Sequence, residues 1–318
     1  MEKLNSKHNY LICVVGPTAI GKTALSIELA KHFNSDVVSC DSRQFFKEMT
    51  IGTAVPSKEE LAQATHHFIQ NKSIFDSYNV GDYEREVLPL LDSLFKENNI
   101  QVLVGGSGLY VDAVLRGFDD FPEVSQEIKD EIEQFFNLKG IEYLQELLLE
   151  FDSEYYHFLQ NINPQTLVNP QRMKRFVGVC KASQKPYSSF LNQDKNKRNF
   201  TPILIGLEAP REIMYDRINL RVDIMMQQGL LKEVVDLKEN QNLNALQTVG
   251  YKELFNFLDE ALSLDEAIEE IKKNTRRFAK RQLTWFKRNE ETKWFSYQQP
   301  LNQIVSYINT KINESEAI

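Results

Sequence analysis

An apolar run over residues 10–15 leads directly into GPTAIGKT, residues 16–23, and this junction restricts the possible folds more than any other feature of the chain. Gly16, Pro17, Thr18, Ala19, Ile20, Gly21, Lys22 and Thr23 complete the pattern G-x-x-x-x-G-K-[ST] between a predicted strand and a predicted helix. In such a nucleotide-binding type of loop the glycines let successive backbone N–H groups face inward at phosphate oxygens. The lysine adds a point charge and the threonine hydroxyl ligates Mg2+. The expected ligand is therefore a diphosphate or triphosphate held by residues 16–23, with Mg2+ on Thr23.

Three further β-branched runs, DVVSCD, QVLVGG and PILIGLE, are predicted strands bounded by Gly, Pro or polar turns. Helical patterns lie between them, at 24–33 and 83–96, and strands alternating with helices imply an α/β fold with a doubly wound parallel sheet of the P-loop NTPase type. Ligands in that architecture sit at the carboxyl ends of the strands, where Gly16, Asp41 and residues 105–108 fall. Between residues 118 and 199 the pattern is helical only. Val124, Ile128, Ile132 and Phe135 form one apolar stripe, and Ile141, Leu144, Leu147, Leu148 and Phe151 form another. Asn169-Pro170 reads as a helix start, with Met173, Phe176, Val177 and Cys180 facing inward. The expected organisation is a core from 1–117 and 200–318 with an inserted helical subdomain at 118–199. After PILIGLE, taken as the last strand, a helical region is predicted over 211–287.

At 318 residues the chain is long enough for two domains. No apolar run has the length needed to cross a bilayer, and MEKLNSKHNY lacks the apolar centre of a signal peptide, so no membrane contact and a cytoplasmic location are expected. Cys13, Cys40 and Cys180 are far apart and odd in number, which fits buried small hydrophobes better than a disulfide framework or a zinc site. The formal net charge is -8, but the bases are unevenly distributed. Residues 272–288 carry eight Lys and Arg and no acid, and residues 172–198 carry eight against the single acid Asp194.

Asp41 ends the predicted strand DVVSC and admits three readings: magnesium ligand, general base, or cap of the following turn. QVLVGG ends in glycine, so no second acid stands at the equivalent position. GGSGLY, residues 105–110, surrounds Ser107 with glycines that permit close approach to a ligand. Arg217 and Arg221 are one helical turn apart, placed to clamp phosphate oxygens or to pair on the surface with Asp216 or Asp223. On a helix through 271–288, Ile271, Phe278 and Trp285 fall on a packing side. Lys273, Arg276, Arg277, Lys280, Arg281 and Arg288 form a basic side suited to a phosphate backbone. His66 and His67 are adjacent, so if they lay on a strand they would point to opposite faces and could not easily form one metal site; they are read as structural or substrate-lining.

The phosphate loop, the lone DS at the next strand end, IGTAVPS, GGSGLY, GYKEL and NTRRFAKRQLTWFKR occur in the order that resembles the tRNA dimethylallyltransferases, over residues 10–294. The resemblance implies that residues 16–23 cradle the diphosphate of dimethylallyl diphosphate and that ATP is not consumed. It also implies that the exocyclic amine of the tRNA adenosine directly 3′ of the anticodon attacks the allylic carbon. Asp41 would then be the general base. Lys22, the loop N–H groups, Mg2+ on Thr23 and one of Arg217 and Arg221 would offset charge on the leaving diphosphate. Ser107 stands where a threonine is usual and would touch the target base.

Asp41, Ser42, Arg43 and Gln44, Asn169, Pro170, Gln171, Arg172 and Met173, and Lys273, Arg276, Arg277 and Lys280 match family segments that contact tRNA. The insert and the basic helix would clamp the anticodon stem-loop of a base-extruding, monomeric enzyme. The chain departs from the family pattern at Gly178, where a glutamate is usual, and at Ile20, where a serine is common. A small-molecule P-loop kinase, an adenylate isopentenyltransferase and a nucleotide-gated RNA-binding module are the competing readings.

Overall fold

The computed structural model describes residues 8–191 and 197–316. Asp194 and Lys195 of the second basic stretch, and the first seven residues of the chain, lie outside the described residues.

Six strands, β1 (Tyr10–Val15), β2 (Val37–Ser39), β3 (His66–His67), β4 (Ile100–Val104), β5 (Thr201–Glu208) and β6 (Lys293–Ser296), form one sheet in the order β3-β2-β4-β1-β5-β6. Every pairing is parallel. β1 lies between β4 and β5, and all six of its residues are buried, which explains why its sequence is apolar throughout rather than alternating. One face of the sheet packs Leu11, Cys13 and Val15 with Val38, Leu103 and Tyr83, and the other packs Tyr10, Ile12 and Val14 with Leu29, Ile205 and Ile304.

Register then determines the location of the site. Val14 pairs with Val104, and Ser39 pairs with Val104 from the opposite side, so the chain leaves β1, β2 and β4 at one level. That level brings the phosphate loop, Asp41 and the glycine-rich turn to one end of the sheet. Helix Lys22–Phe33 begins inside the phosphate-loop motif, with Gly21 at its N-cap at φ 110°.

Two strands escaped the sequence reading. β3 is two residues long, too short to show a period, and β6 follows the helical tail, so β5 is not the last strand. The tail itself comprises helices Arg211–Gln227, Leu230–Asp236, Tyr251–Leu258 and Leu264–Phe286, and a further helix, Leu301–Glu316, follows β6 and covers the sheet with Ile304 and Ile308.

The chain divides into two compact units, 1–116 with 198–318, and 117–197. The second unit is built from helices Gln126–Phe151, Ser153–Ile162 and Pro170–Ser183 around a core that includes Ile132, Leu144, Leu148, Met173, Val177 and Cys180. Its longest helix is broken at Gly140. Phe136 rather than Phe135 joins this core, because it lies one full turn from Ile132; Phe135 packs on the ring of Tyr143 instead. The Asn169 side chain accepts from the Arg172 N–H at 3.1 Å and so starts the third helix. Gly178 is buried, and a Cβ there would stand 3.3 Å from Val124 Cγ1 and 3.5 Å from Ile132 Cδ1. A side chain at this position would press on Val124 and Ile132, so the glutamate of the family pattern would require these two residues to repack.

All three cysteines are free and buried. Among the described residues, no three His, Cys, Asp or Glu side chains gather in a metal-binding group, and no helix is long and apolar enough to cross a membrane.

Candidate active site

A cleft of about 1020 Å³ opens in the first unit at the carboxyl ends of the strands, and its wall includes Thr18, Asp41, Ser107, Arg221, Phe278 and Gln282. Lys22 Nζ donates to the Pro17 carbonyl at 2.8 Å, folding the loop around its own ammonium group. Burial pulls the Lys22 pKa down to about 8, opposed by the charge of Asp41 and assisted by that of Arg221. Asp41 is shifted in the complementary sense: burial raises its pKa, and Lys22 only partly offsets the rise. A half-buried ammonium group and a half-buried carboxylate thus lie close enough for their charges to depend on each other.

Asp41 also serves the turn that follows it, because its Oδ1 accepts from the Arg43 N–H at 3.4 Å. Capping occupies one carboxylate oxygen, so the cap reading and the base reading are compatible. Ser107 Oγ accepts from the Ser42 N–H at 3.2 Å and lies 3.1 Å from Ser42 Oγ, which joins the glycine-rich turn to the Asp41 turn.

The two arginines separate in role. Arg217 Nε donates to the Ala19 carbonyl at 2.8 Å and its guanidinium lies 5.3 Å from the Tyr297 ring, bracing the back of the phosphate loop. Arg221 lines the cleft, and burial together with Arg217 lowers its pKa. Asp223, the surface partner considered from sequence, pairs with Lys272 at 2.9 Å.

The model of the family described as IPP transferase matches residues 44–289. A tRNA dimethylallyltransferase of Flavobacterium psychrophilum is 65% identical over 304 residues, covering 96% of this chain and 99% of that protein. The chain belongs to the IPP transferase family. Among solved structures, the full-length tRNA isopentenylpyrophosphate transferase of Bacillus halodurans is 34% identical with a TM-score of 0.71, over 97% of this chain and 98% of its own. A eukaryotic dimethylallyltransferase acting on tRNA shares the fold with a TM-score of 0.82 at 22% identity, over 96% of this chain and 80% of that one. The family match begins at residue 44, so the assignment reaches the phosphate loop and Asp41 through the relatives that align over nearly the whole chain.

Helix Leu264–Phe286 corrects the sequence reading in two ways. Phe278 is 38% exposed, and Ile271, Phe278 and Trp285 line the cleft; the buried residues of the helix are Ala267, Ile271, Ala279, Gln282 and Phe286. The three positions do share one side of the helix, but that side looks into the cleft, so only Ile271 of the three is fully packed. The basic face is also less basic than its sequence window. Lys272 pairs with Asp223 and Glu269, Lys273 pairs with Glu270, and Arg276 Nη1 donates to Asn219 Oδ1 at 2.6 Å. Arg277, Lys280 and Arg281 are exposed.

The remaining tRNA-contact candidates are placed as follows. Arg43 lines the cleft, yet its Nη1 donates to the carbonyls of Asn244 and Ala245 at 3.1 and 2.7 Å, and Gln44 Nε2 donates to those of Thr53 and Ala54 at 3.3 and 2.8 Å. In the second unit Gln171 and Arg172 are exposed, and Arg172 Nη1 donates to Thr166 Oγ1 at 2.9 Å. Met173 is 0% exposed: its side chain belongs to the core and offers no contact to RNA. On β3, His67 Nε2 is 2.7 Å from Asp36 Oδ2 and His66 Nδ1 is 2.8 Å from the Ala64 carbonyl, and neither ring lines the cleft.

Sequence reasoning missed a second set of residues. Glu233 accepts from the N–H groups of Thr50, Ile51 and Gly52 at 3.1, 2.8 and 3.0 Å and from the Tyr251 hydroxyl at 2.6 Å, which seats the IGTAVPS loop on the cleft wall. Gln282 bridges Thr18 and Gly106, and Trp285 Nε1 donates to Asp112 Oδ2 at 3.0 Å. The quoted motifs IGTAVPS and GYKEL contained one end of the Glu233 network, but nothing local marked Glu233 itself.

Proposed function

We propose that this chain transfers the dimethylallyl group of dimethylallyl diphosphate to the exocyclic amine of the adenosine directly 3′ of the anticodon in tRNA, releasing diphosphate. The observation that carries the reading is that Thr18 of the phosphate-loop motif and the half-buried carboxylate of Asp41, whose pKa is raised by desolvation, line a single cleft. In the reaction the amine lone pair forms a bond to the allylic carbon, the carbon–oxygen bond to diphosphate breaks, and the amine proton passes to Asp41. Lys22, the loop N–H groups and Arg221 stabilise the charge that grows on the leaving group.

The donor set suits Mg2+. Thr23, the second residue of its helix, offers a hard hydroxyl oxygen beside the cradle, and a small ion that keeps several waters needs few protein ligands when substrate phosphates supply the rest. Bound there, the ion would add positive charge opposite the departing diphosphate. Ser107, held by Ser42, is placed to meet the target base, and extruding that base from its stack costs about a few kcal/mol. The reading includes action as a monomer, in the cytoplasm where tRNA is found.

The test uses unmodified tRNA, labelled dimethylallyl diphosphate and Mg2+ without ATP. Label in tRNA is expected. Label in free adenine nucleotide alone, or no label together with ATP-dependent phosphorylation of a metabolite, would overturn the reading. Within the same assay Arg221→Ala is expected to lower kcat by about 10²–10³ while tRNA affinity holds, the loss typical of one donor to a developing anion.

The tRNA contacts are proposed on the insert, at Asn169 to Arg172, and on the exposed bases of the helix. Replacing Arg277 and Lys280 by glutamine should weaken tRNA binding and flatten the slope of log affinity against log salt by about 1 per phosphate contact removed. Lys272→Gln should leave the slope unchanged, since that ammonium group is already paired with Asp223 and Glu269. Equal slopes for all three variants would exclude this face from the interface.

A further inference from the structure

Gln282 is 5% exposed, although it lies in the most basic stretch of the chain. Its side-chain amide faces two loops at once. Oε1 accepts from the Thr18 N–H of the phosphate loop at 2.8 Å, and Nε2 donates to the Gly106 carbonyl of the glycine-rich turn at 2.9 Å. A primary amide is the side-chain group that can accept on one side and donate on the other. Glutamate would set an oxygen against the Gly106 carbonyl, methionine would satisfy neither partner, and asparagine is one methylene short.

The turn has been shaped to receive this amide. A Cβ on Gly106 would lie 2.2 Å from Gln282 Nε2 and 3.7 Å from Lys22 Nζ, so the absence of a side chain at 106 lets the amide reach the carbonyl. One turn further along the same helix, a Cβ on Gly108 would lie 2.3 Å from Trp285 Cδ1, and the Trp285 indole N–H is fixed by Asp112. Two of the glycines around Ser107 are therefore accounted for by residues of this helix.

We propose that Gln282 is a positioning residue that holds the donor loop and the acceptor-side turn in register from the helix that carries the basic residues. The assignment rests on the prenyl-transfer reading above and deepens it. Thr18 belongs to the cradle for the diphosphate, and Gly106 precedes Ser107, which faces the base; the amide fixes the distance between the two halves of the reaction. Its hydrogen bond to Gly106 is buried and that to Thr18 is partly buried, so their loss leaves a loop N–H and a turn carbonyl without these partners.

The test compares wild type, Gln282→Met, Gln282→Asn, Gly106→Ala and the Gly106→Ala/Gln282→Met pair, measuring kcat, the KM of each substrate, tRNA Kd and the thermal midpoint. A misplacement near 1 Å between reacting groups lowers rate by about 100-fold, and that fall in kcat is expected for Gln282→Met with tRNA Kd changed by less than about twofold. Gln282→Asn should not rescue it. Gly106→Ala, which pushes the amide off its carbonyl, should lower kcat alone yet add nothing in the methionine background, because both changes break one contact.

A Gln282→Met enzyme with kcat within about threefold of wild type, or rate losses for the two changes that simply multiply, would overturn the proposal. So would loss of the cooperative unfolding transition in Gln282→Met, since the residue would then be a scaffold of the core. If wild type transfers no prenyl group to tRNA, it is the functional reading that fails.

Discussion

Replacing Asp41 by asparagine is expected to lower kcat by about 10²–10⁴ while both substrates still bind, the loss typical of a removed general base. Asparagine keeps an oxygen where Asp41 Oδ1 accepts from the Arg43 N–H, and the backbone bond from the Gln44 N–H to the Asp41 carbonyl, 3.0 Å, does not involve the side chain. The turn should therefore survive, and only the capacity to take up a proton is lost. Equilibrium binding of dimethylallyl diphosphate and of tRNA, with single-turnover rates, separates the two effects. A variant that lost donor affinity instead of rate would make Asp41 a magnesium ligand.

As the proposed general base, the same residue is expected to set the acid limb of the pH profile. Burial raises the Asp41 pKa above the ordinary carboxylate value and Lys22 offsets only part of the rise. The base works ionised, so kcat/KM of the wild type should fall as pH decreases through that raised pKa, at a higher pH than an exposed aspartate would require. The residual activity of Asp41→Asn should lack this limb. An acid limb shared unchanged by wild type and variant would assign the titration to another group.

Much of this site was legible in the sequence because the deciding features are local. A glycine-rich loop with Lys22 and Thr23, an aspartate at a strand end, and a serine among glycines each announce their chemistry within eight residues or fewer. Four strands were legible for the same reason, since each is a short β-branched run between turns. What escaped depends on long-range closure. Glu233 looks like a surface acid of helix Leu230–Asp236, and only the folded chain brings the N–H groups of Thr50 to Gly52 to it. Gln282 reads as one more polar residue among lysines and arginines until the helix docks against the two loops. Conversely, the basic window 272–288 overstated its charge, because Glu269 and Glu270 lie just outside it and Asp223 comes from another helix.

Gly16→Ala is expected to disable the donor site and to destabilise the first unit far more than Gly21→Ala, although both glycines belong to the same motif and both have positive φ. Gly16 has φ 144°, and a Cβ there would lie 2.7 Å from the Leu207 carbonyl oxygen. That oxygen cannot retreat, because β5 is held by β1 on one side, through Val15 and Gly206, and by β6 on the other, through Leu207 and Phe295. The loop must move instead, and with it the Pro17 carbonyl that holds Lys22 and the Thr18 N–H that meets Gln282. Gly21, at φ 110°, has no atom within 4 Å of its would-be Cβ, so alanine there meets backbone strain alone, about 1–2 kcal/mol. For Gly16→Ala, strain and clash together are expected to reach about 3 kcal/mol or more, which lowers the thermal midpoint by about 6–12 °C. Affinity for dimethylallyl diphosphate should fall by about 100-fold or more, since misdirected loop N–H groups no longer converge on the phosphates. Calorimetric titration with the donor and thermal scans of the two variants make the comparison. Equal losses for Gly16→Ala and Gly21→Ala would mean that backbone conformation alone, rather than the close approach of β5, shapes the cradle.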